Sequence, residues 1–400
     1  MQKIKPLLIN ILVLIIILFL IFFILEVSLR IFYPQLTVSR AEKISPKIFE
    51  ESDYTGWKLK PNTNDRLIST IGNEFNVPVS INSNGLRDDE INPKEISMKT
   101  IIGAIGDSFT FGSGIRLEDT YHQKLEKMLN KYSDDVRVIS MGRADGALTT
   151  DVQYLYLKKK GLKFNPKMII VGYFVGNDIT DIGKKTTWIS TDDNDNPTNI
   201  TTTYTYIDEE GRYRRNYDIS TEGRSLFYKL NRFMSDWSHL HMFLKRFYIG
   251  ATISKPESDH VYVHPEDYLK KFNISKKMLV EINKILQANN VTLVVMLIPA
   301  KVQVDDKAWK AYEEYHDKNS YRFNPQNEIM RFCNEENIKC LDLLPDFIGK
   351  QGLYFKIDNH WNEKGHELAA GKLYEYLINE YPYAKGIYNM PIRQGLVENG

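Results

Sequence analysis

The chain has 400 residues, 42% hydrophobic and 26% charged, an ordinary globular composition that fits one large domain or two smaller ones. Its 52 basic and 51 acidic side chains leave a formal net charge of +1, and no basic run is interleaved with aromatics. On these grounds nucleic acid is excluded as a partner.

The N-terminal residues 1–30 read as a membrane anchor. Pro6 to Leu25, "PLLINILVLIIILFLIFFIL", is 20 residues without a charge. As a helix this run would cover about 30 Å, the thickness of a bilayer core. The sequence continues as "EVSLRIF" with no A-x-A-like site, which favours an uncleaved anchor over a signal peptide. Lys3 and Lys5 before the span are nearly balanced by Arg30, Arg40 and Lys43 after it. A short N-terminal tail and a long C-terminal domain favour a cytoplasmic N-terminus with the bulk of the chain outside.

Residues 31–97 form an extension with Pro, Asn and Gly punctuation, expected to make short strands and turns packed on the main domain. The main domain is placed at 98–385. Its apolar, β-branched runs "TIIGAIG" (100–106), "VRVISM" (136–141), "MIIVGYF" (168–174), "VTLVVMLI" (291–298) and "IKCLDL" (338–343) suit strands buried on both faces. Helix-like segments alternate with them, including "EDTYHQKLEKMLNKY", "ALTTDVQYLYLKKKG" and "NEKGHELAAGKLYEYLINEY". Strands alternating with helices predict an α/β fold, a three-layer α/β/α sandwich around a parallel sheet.

An insertion at about 181–265 interrupts this alternation. It opens with polar "STDDNDNPTNITTTY", continues as a hairpin "TYTYIDEEGRYRR" turning at Glu210-Gly211, and ends in amphipathic "SLFYKLNRFMSDWSHLHMFLKRFY". It reads either as a cap over the site or as a surface elaboration. Its aromatic stripe, Phe227, Tyr228, Phe233, Trp237, Phe243 and Phe247, is expected to pack rather than to hold a ligand. Cys333 and Cys340 fit either a disulfide, if their Cα atoms come within about 7 Å, or two buried thiols; their spacing matches no zinc pattern. Residues 386–400 are a tail.

Open parallel sheets gather function at the carboxyl ends of their strands. The first strand ends in Gly106-Asp107-Ser108, the second in Ser140-Met141-Gly142, the third leads to Gly176-Asn177-Asp178, and "DNHWNEKGH" sets Asp358 and His360 before the last helix. A serine becomes a nucleophile when a histidine takes its proton and a carboxylate orients that histidine. A loop serine amide, a glycine amide and an asparagine side chain are suitable donors to an oxyanion.

These blocks, "GDSFT", Gly142 in "SMGRADG", "GND" and "DNHWNEKGH", in this order, resemble the SGNH or GDSL-type serine esterases and acyltransferases. "INSNGLRDDE" at 81–90 also resembles the N-terminal extension of membrane-anchored bacterial members. The resemblance implies Ser108 as nucleophile, His360 as base and Asp358 as its orienting carboxylate. It further implies an oxyanion hole of the Ser108 amide, the Gly142 amide and the Asn177 side chain. The implied fold is flavodoxin-like, five parallel strands in the order 2-1-3-4-5. Asp107 and Asp178 are expected to hold the loops, and His366 to face the core from the last helix.

Three departures stand out. Ser140 occupies a position that commonly holds asparagine, Val175 fills a glycine slot before Gly176, and the last block is D-x-H rather than D-x-x-H. The shorter form, followed by Trp361, is similar to alginate-type polysaccharide O-acetyltransferases. The expected reaction is acyl transfer through an acyl-serine, with no metal or organic cofactor, on O-acyl, notably O-acetyl, groups of a cell-surface or exported glycan. A membrane acyl-donor protein or carrier is an expected partner if the chain is a transferase. The alternatives are a membrane-proximal lipase or lysophospholipase, and a non-catalytic glycan-binding or scaffold protein of the same fold.

Overall fold

The computed structural model describes residues 4–381 apart from 36, 38–46, 70–73, 132–133, 145, 147, 183–185, 203–204, 208–212, 216–224, 253–264 and 317–321. Helix α1 (Ile4–Phe32) contains a stretch, Ile9–Phe32, whose most apolar part has a mean hydropathy of 3.2 and no buried residue. It is long and apolar enough to cross a membrane.

Two antiparallel ribbons follow, β1 (Phe49–Ser52) with β2 (Gly56–Leu59), and β3 (Thr63–Ile68) with β4 (Asn76–Ile81). They are the short strands expected of the extension. Their apolar faces do not form a core of their own: Ile48, Phe49, Leu59, Val79 and Ile81 close over Phe111 of the main domain. Helix α2 (Pro93–Met98) then starts with an N-terminal box in which Asn92 and Glu95 satisfy each other's backbone donors.

The main sheet begins with β5 (Thr100–Gly106), which runs into the one-turn helix α3 (Ser108–Phe111). Next come α4 (Tyr121–Leu129), β6 (Val136–Gly142), α5 (Thr150–Lys159) and β7 (Met168–Phe174). The insertion gives β8 (Thr186–Thr191) and β9 (Pro197–Thr202), then β10 (Thr205–Ile207) and β11 (Tyr213–Arg215), then α6 (Leu226–Trp237) and α7 (His239–Thr252). The chain returns through α8 (Pro265–Ala288), β12 (Thr292–Ile298), α9 (Lys301–Val304), α10 (Asp306–His316), α11 (Asn324–Glu335), β13 (Lys339–Asp342), α12 (Leu344–Phe347) and α13 (Glu363–Glu380).

Five strands pair in parallel in the order β13-β12-β7-β5-β6. Numbered within the sheet this is the flavodoxin-like 2-1-3-4-5. Almost every residue of β5, β6, β7 and β12 is buried, so each strand feeds two cores. One core lies under α5 and α8 (Ile105, Val171, Leu297, Met278, Ile282), the other under α4 and α13 (Ile102, Val138, Met296, Leu125, Leu373). At about 1.5–3 kcal/mol per buried aliphatic side chain, this two-sided burial fixes the register. Cys333 and Cys340 are joined, with Cα atoms 6.2 Å apart, tying the end of α11 to β13.

The insertion differs from expectation in two ways. Its polar opening is itself a hairpin, β8–β9, held because Trp188 and Thr186 donate to buried Asp151 and because Ile200 bridges to Thr55. β10 and β11 pair as expected, but Glu210-Gly211 lies outside the described residues. The aromatic stripe does not pack into a core: Phe227, Phe233, Trp237, Phe243 and Phe247 are exposed, because the α6–α7 hairpin folds against the end of α1 rather than onto the sheet. The insertion contacts α5, α8, the N-terminal ribbon and α1, the arrangement of a surface elaboration.

Candidate active site

The sharp stop of β5 has a steric origin. A Cβ on Gly106 would lie 2.3 Å from Thr110 Oγ1 and 2.8 Å from the Gly172 carbonyl, so glycine lets α3 turn back tightly on the strand. Asp107 caps that turn, its Oδ1 accepting from Phe109 N at 2.9 Å, and Ser108 is presented at the first position of α3.

The loop between α12 and α13 brings its histidine to this serine. His360 Nε2 is 2.7 Å from Ser108 Oγ, and His360 Nδ1 is 2.5 Å from Asp358 Oδ1. The same Asp358 oxygen accepts the His360 backbone N–H at 2.9 Å. That turn explains the D-x-H spacing: a carboxylate that caps the amide two residues on meets the ring of the same residue. The fully buried Trp361 packs on Phe347 and Phe109, with ring centroids 5.1 Å away in each case, and Phe109 also lies 5.1 Å from the His360 ring. The side chains of His360 and Asp358 remain 29% and 30% exposed, open to a ligand from solvent.

The electrostatics suit a base. Burial disfavours the imidazolium of His360, but the hydrogen bond and charge of Asp358, with the charge of Asp107, outweigh it and hold the pKa above 6.5. Burial likewise opposes the Asp358 carboxylate, and its hydrogen bonds with His360 and the charges of His360 and Lys301 hold it below its usual range.

Residues 258–390 match the family profile of the SGNH hydrolase-like domain of the acetyltransferase AlgX. Over those residues the chain is similar to an SGNH hydrolase-like domain. Among solved structures, it is similar to the acetyl xylan esterase AlAXEase (14% identity, TM-score 0.39, covering 70% of this chain and 100% of that one). It is also similar to the lipase/acylhydrolase from Enterococcus faecalis (11%, 0.37, 70% and 96%) and the psychrotrophic esterase EstA from Pseudoalteromonas sp. (11%, 0.37, 70% and 98%). No curated protein matches the sequence.

At the carboxyl edge of the sheet Asn177 joins the serine turn, its Nδ2 donating to Asp107 Oδ2 at 3.0 Å, which leaves the second Nδ2 hydrogen for a ligand. Asp178 closes the preceding loop by accepting from Phe174 N at 2.7 Å and from Gln153 Nε2 at 3.3 Å. Burial pushes both Asp107 and Asp178 above the usual carboxylate range. Val175, in the family's glycine slot, is a fully buried core residue, while Gly176 yields to the Phe174 ring, which a Cβ would approach to 2.6 Å.

Gly142 plays a different part from the expected one. A Cβ there would lie 2.3 Å from Phe111 N, so this glycine admits the backbone of α3. Arg143 N–H turns inward to the Gly106 carbonyl at 3.1 Å, so the preceding N–H, of Gly142, turns to the outer edge of the strand. The left-handed glycine of this loop is Gly146, at φ 70°. His366 is buried, accepts from Tyr121 N at 3.2 Å and is pushed well below 6.5 by burial and neighbouring His122 and Arg87, which fits the core role expected of it.

Four residues that sequence reasoning did not single out hold the site in shape. Arg87 donates at 2.6 Å to the carbonyls of Phe111, Gly112 and Ile115, fixing the loop after α3. Asp88 accepts from Ser140 N at 2.7 Å and pairs with buried Arg137 at 2.6 Å, fixing the end of β6. The carboxylate of Glu74 accepts from Ile357 N at 2.9 Å and Asp358 N at 2.7 Å. Lys301 Nζ donates to the carbonyls of Phe355 and Lys356 at 2.8 and 2.7 Å. A cavity of about 570 Å³ borders this clamped loop, lined by Phe75, Phe355, Lys356 and Asn362 among others. The "INSNGLRDDE" stretch was the one available signal, and it located Arg87 and Asp88 without a role.

Proposed function

We propose that this protein is a serine-dependent acyl-transfer enzyme acting on O-acyl, notably O-acetyl, groups of a cell-surface or exported glycan. The observation that carries this reading is the continuous relay Ser108 Oγ–His360–Asp358, at 2.7 and 2.5 Å. With Nδ1–H directed to Asp358, His360 Nε2 takes the Ser108 proton as Oγ bonds to the ester carbonyl carbon. The oxyanion is held by the Ser108 amide and the remaining Nδ2 hydrogen of Asn177. Collapse breaks the ester C–O bond, His360 returns its proton to the leaving alcohol, and the acyl group stays on Ser108. Water or an acceptor hydroxyl then repeats the steps in reverse, ending in hydrolysis or transfer.

Support for a glycan rather than another ester comes from the AlgX-type profile and from α1. With α1 as an anchor and the N-terminus cytoplasmic, the domain faces exported polymer. The test is a burst assay on the full chain in detergent with p-nitrophenyl acetate, with and without acetylated or unacetylated polysaccharide. A burst equal to one acyl group per chain, lost in Ser108→Ala and His360→Ala, with deacetylation or acetylation of the polysaccharide, is the expected result. A folded chain with neither burst nor turnover on any of these esters overturns the proposal.

A further inference from the structure

The helices α6 and α7 form a hairpin whose apolar residues face outward. On α6, Leu226, Phe227, Leu230, Phe233 and Trp237 share one face at helical spacing and are 57–83% exposed. Phe243, Leu244 and Phe247 continue the apolar surface on α7. Eight large apolar side chains on two adjoining helices exceed what an ordinary soluble surface carries.

The position of the hairpin identifies what covers it. The apolar run of α1 closes at Leu25, and the next residue, Glu26, accepts from His239 N (2.9 Å), Leu240 N (2.8 Å) and Ser238 Oγ (2.8 Å), capping α7. Arg30 Nη2 donates to the Trp237 carbonyl at 2.7 Å, and the Tyr33 and Phe243 rings meet edge-on at 6.4 Å. The elbow of the hairpin is thus fastened where the span gives way to charged residues, the level of the bilayer surface. Charge agrees: residues 226–252 hold Lys229, Arg232, Lys245 and Arg246 against Asp236 alone, a balance that attracts anionic headgroups.

We propose that the α6–α7 hairpin lies in the plane of the membrane surface, its apolar face seated at the headgroup–acyl boundary of an anionic bilayer. The inference rests on reading α1 as a span. It gives the domain a second hold on the membrane besides α1, which limits its rotation about a single helix.

Trp237 is a natural reporter, since Trp57, Trp309 and Trp361 are buried and Trp188 half-buried. The full chain would be reconstituted into phosphatidylcholine–phosphatidylglycerol vesicles carrying lipids brominated near the headgroup end of the acyl chain. The expected result is loss of tryptophan emission to the bromolipid, absent in Trp237→Phe and reduced in the double variant Phe227→Glu/Phe233→Glu. Quenching of Trp237 by aqueous iodide and not by bromolipid overturns the proposal. Shielding from both quenchers, with cross-linking of chain to chain through α6, also overturns it, in favour of a second copy as occupant. A carbonate wash separates the two premises: a retained chain with Trp237 out of reach of bromolipid refutes the in-plane contact alone, and a chain that washes off refutes the span.

Discussion

Replacing Glu74 with alanine removes two hydrogen bonds to a carboxylate from the loop that carries Asp358 and His360, at 2.9 and 2.7 Å. Bonds of this kind contribute about 1.5–3 kcal/mol each. Glu74 and the loop are half-exposed, so water restores part of the loss, and about 2 kcal/mol of loop ordering is at stake. At 1.36 kcal/mol per decade that is roughly a 10- to 100-fold smaller population with His360 aligned on Ser108. Glutamine keeps one acceptor oxygen and should lose about half of this free energy, roughly 5-fold in rate. The assay is kcat and KM of the full chain on p-nitrophenyl acetate, beside a chemical-denaturation midpoint. We expect kcat to fall in the order wild type, Glu74→Gln, Glu74→Ala, with KM and the midpoint close to wild type. A folded Glu74→Ala chain whose kcat stays within about twofold of wild type would refute the claim that this ribbon orders the catalytic loop.

Three further outcomes are expected. His360 must be neutral to act, and its pKa is held above 6.5, so activity should rise with pH along an acid limb centred above 6.5; Asp358→Asn should move that limb down while lowering kcat at its plateau, and a pH–rate profile with an unmoved limb would count against the assignment. Asp88→Asn leaves Arg137 buried with Glu126 as its remaining partner, and should destabilise the fold by about 3 kcal/mol, more than the double variant Asp88→Leu/Arg137→Met, as read from guanidinium unfolding. Gly142→Ala forces a methyl against the Phe111 nitrogen and should cost about 1–3 kcal/mol or displace α3, so an unchanged unfolding midpoint would contradict the packing described for it.

The parts of this molecule that sequence exposes are those written locally. β5, β7 and β12 are continuous apolar runs because both faces are buried, and their ends carry the small and polar residues that sheet edges require. Ser108, Asp358 and His360 could be named because they lie in short blocks at such ends. Glu74 and Lys301 could not, since each acts on backbone groups of residues 355–358 through a contact that no periodicity encodes. Gly142 shows a subtler limit: glycine marks close approach, but the sequence does not say whether a ligand or a neighbouring helix approaches. The aromatic stripe of α6 misled for a related reason, because an amphipathic helix has the same pattern whether its apolar face meets a core or another surface. The break at Ser238 and its cap by Glu26 lie 212 residues apart and are visible only in three dimensions.

The most direct measurement is peptide mass spectrometry of the full chain after reaction with a fluorophosphonate. The account predicts one phosphonyl adduct, on the Ser108 peptide, formed by wild type and abolished in Ser108→Ala and His360→Ala. An unlabelled Ser108 in a folded wild-type chain, or labelling that persists in His360→Ala at the wild-type rate, would contradict it.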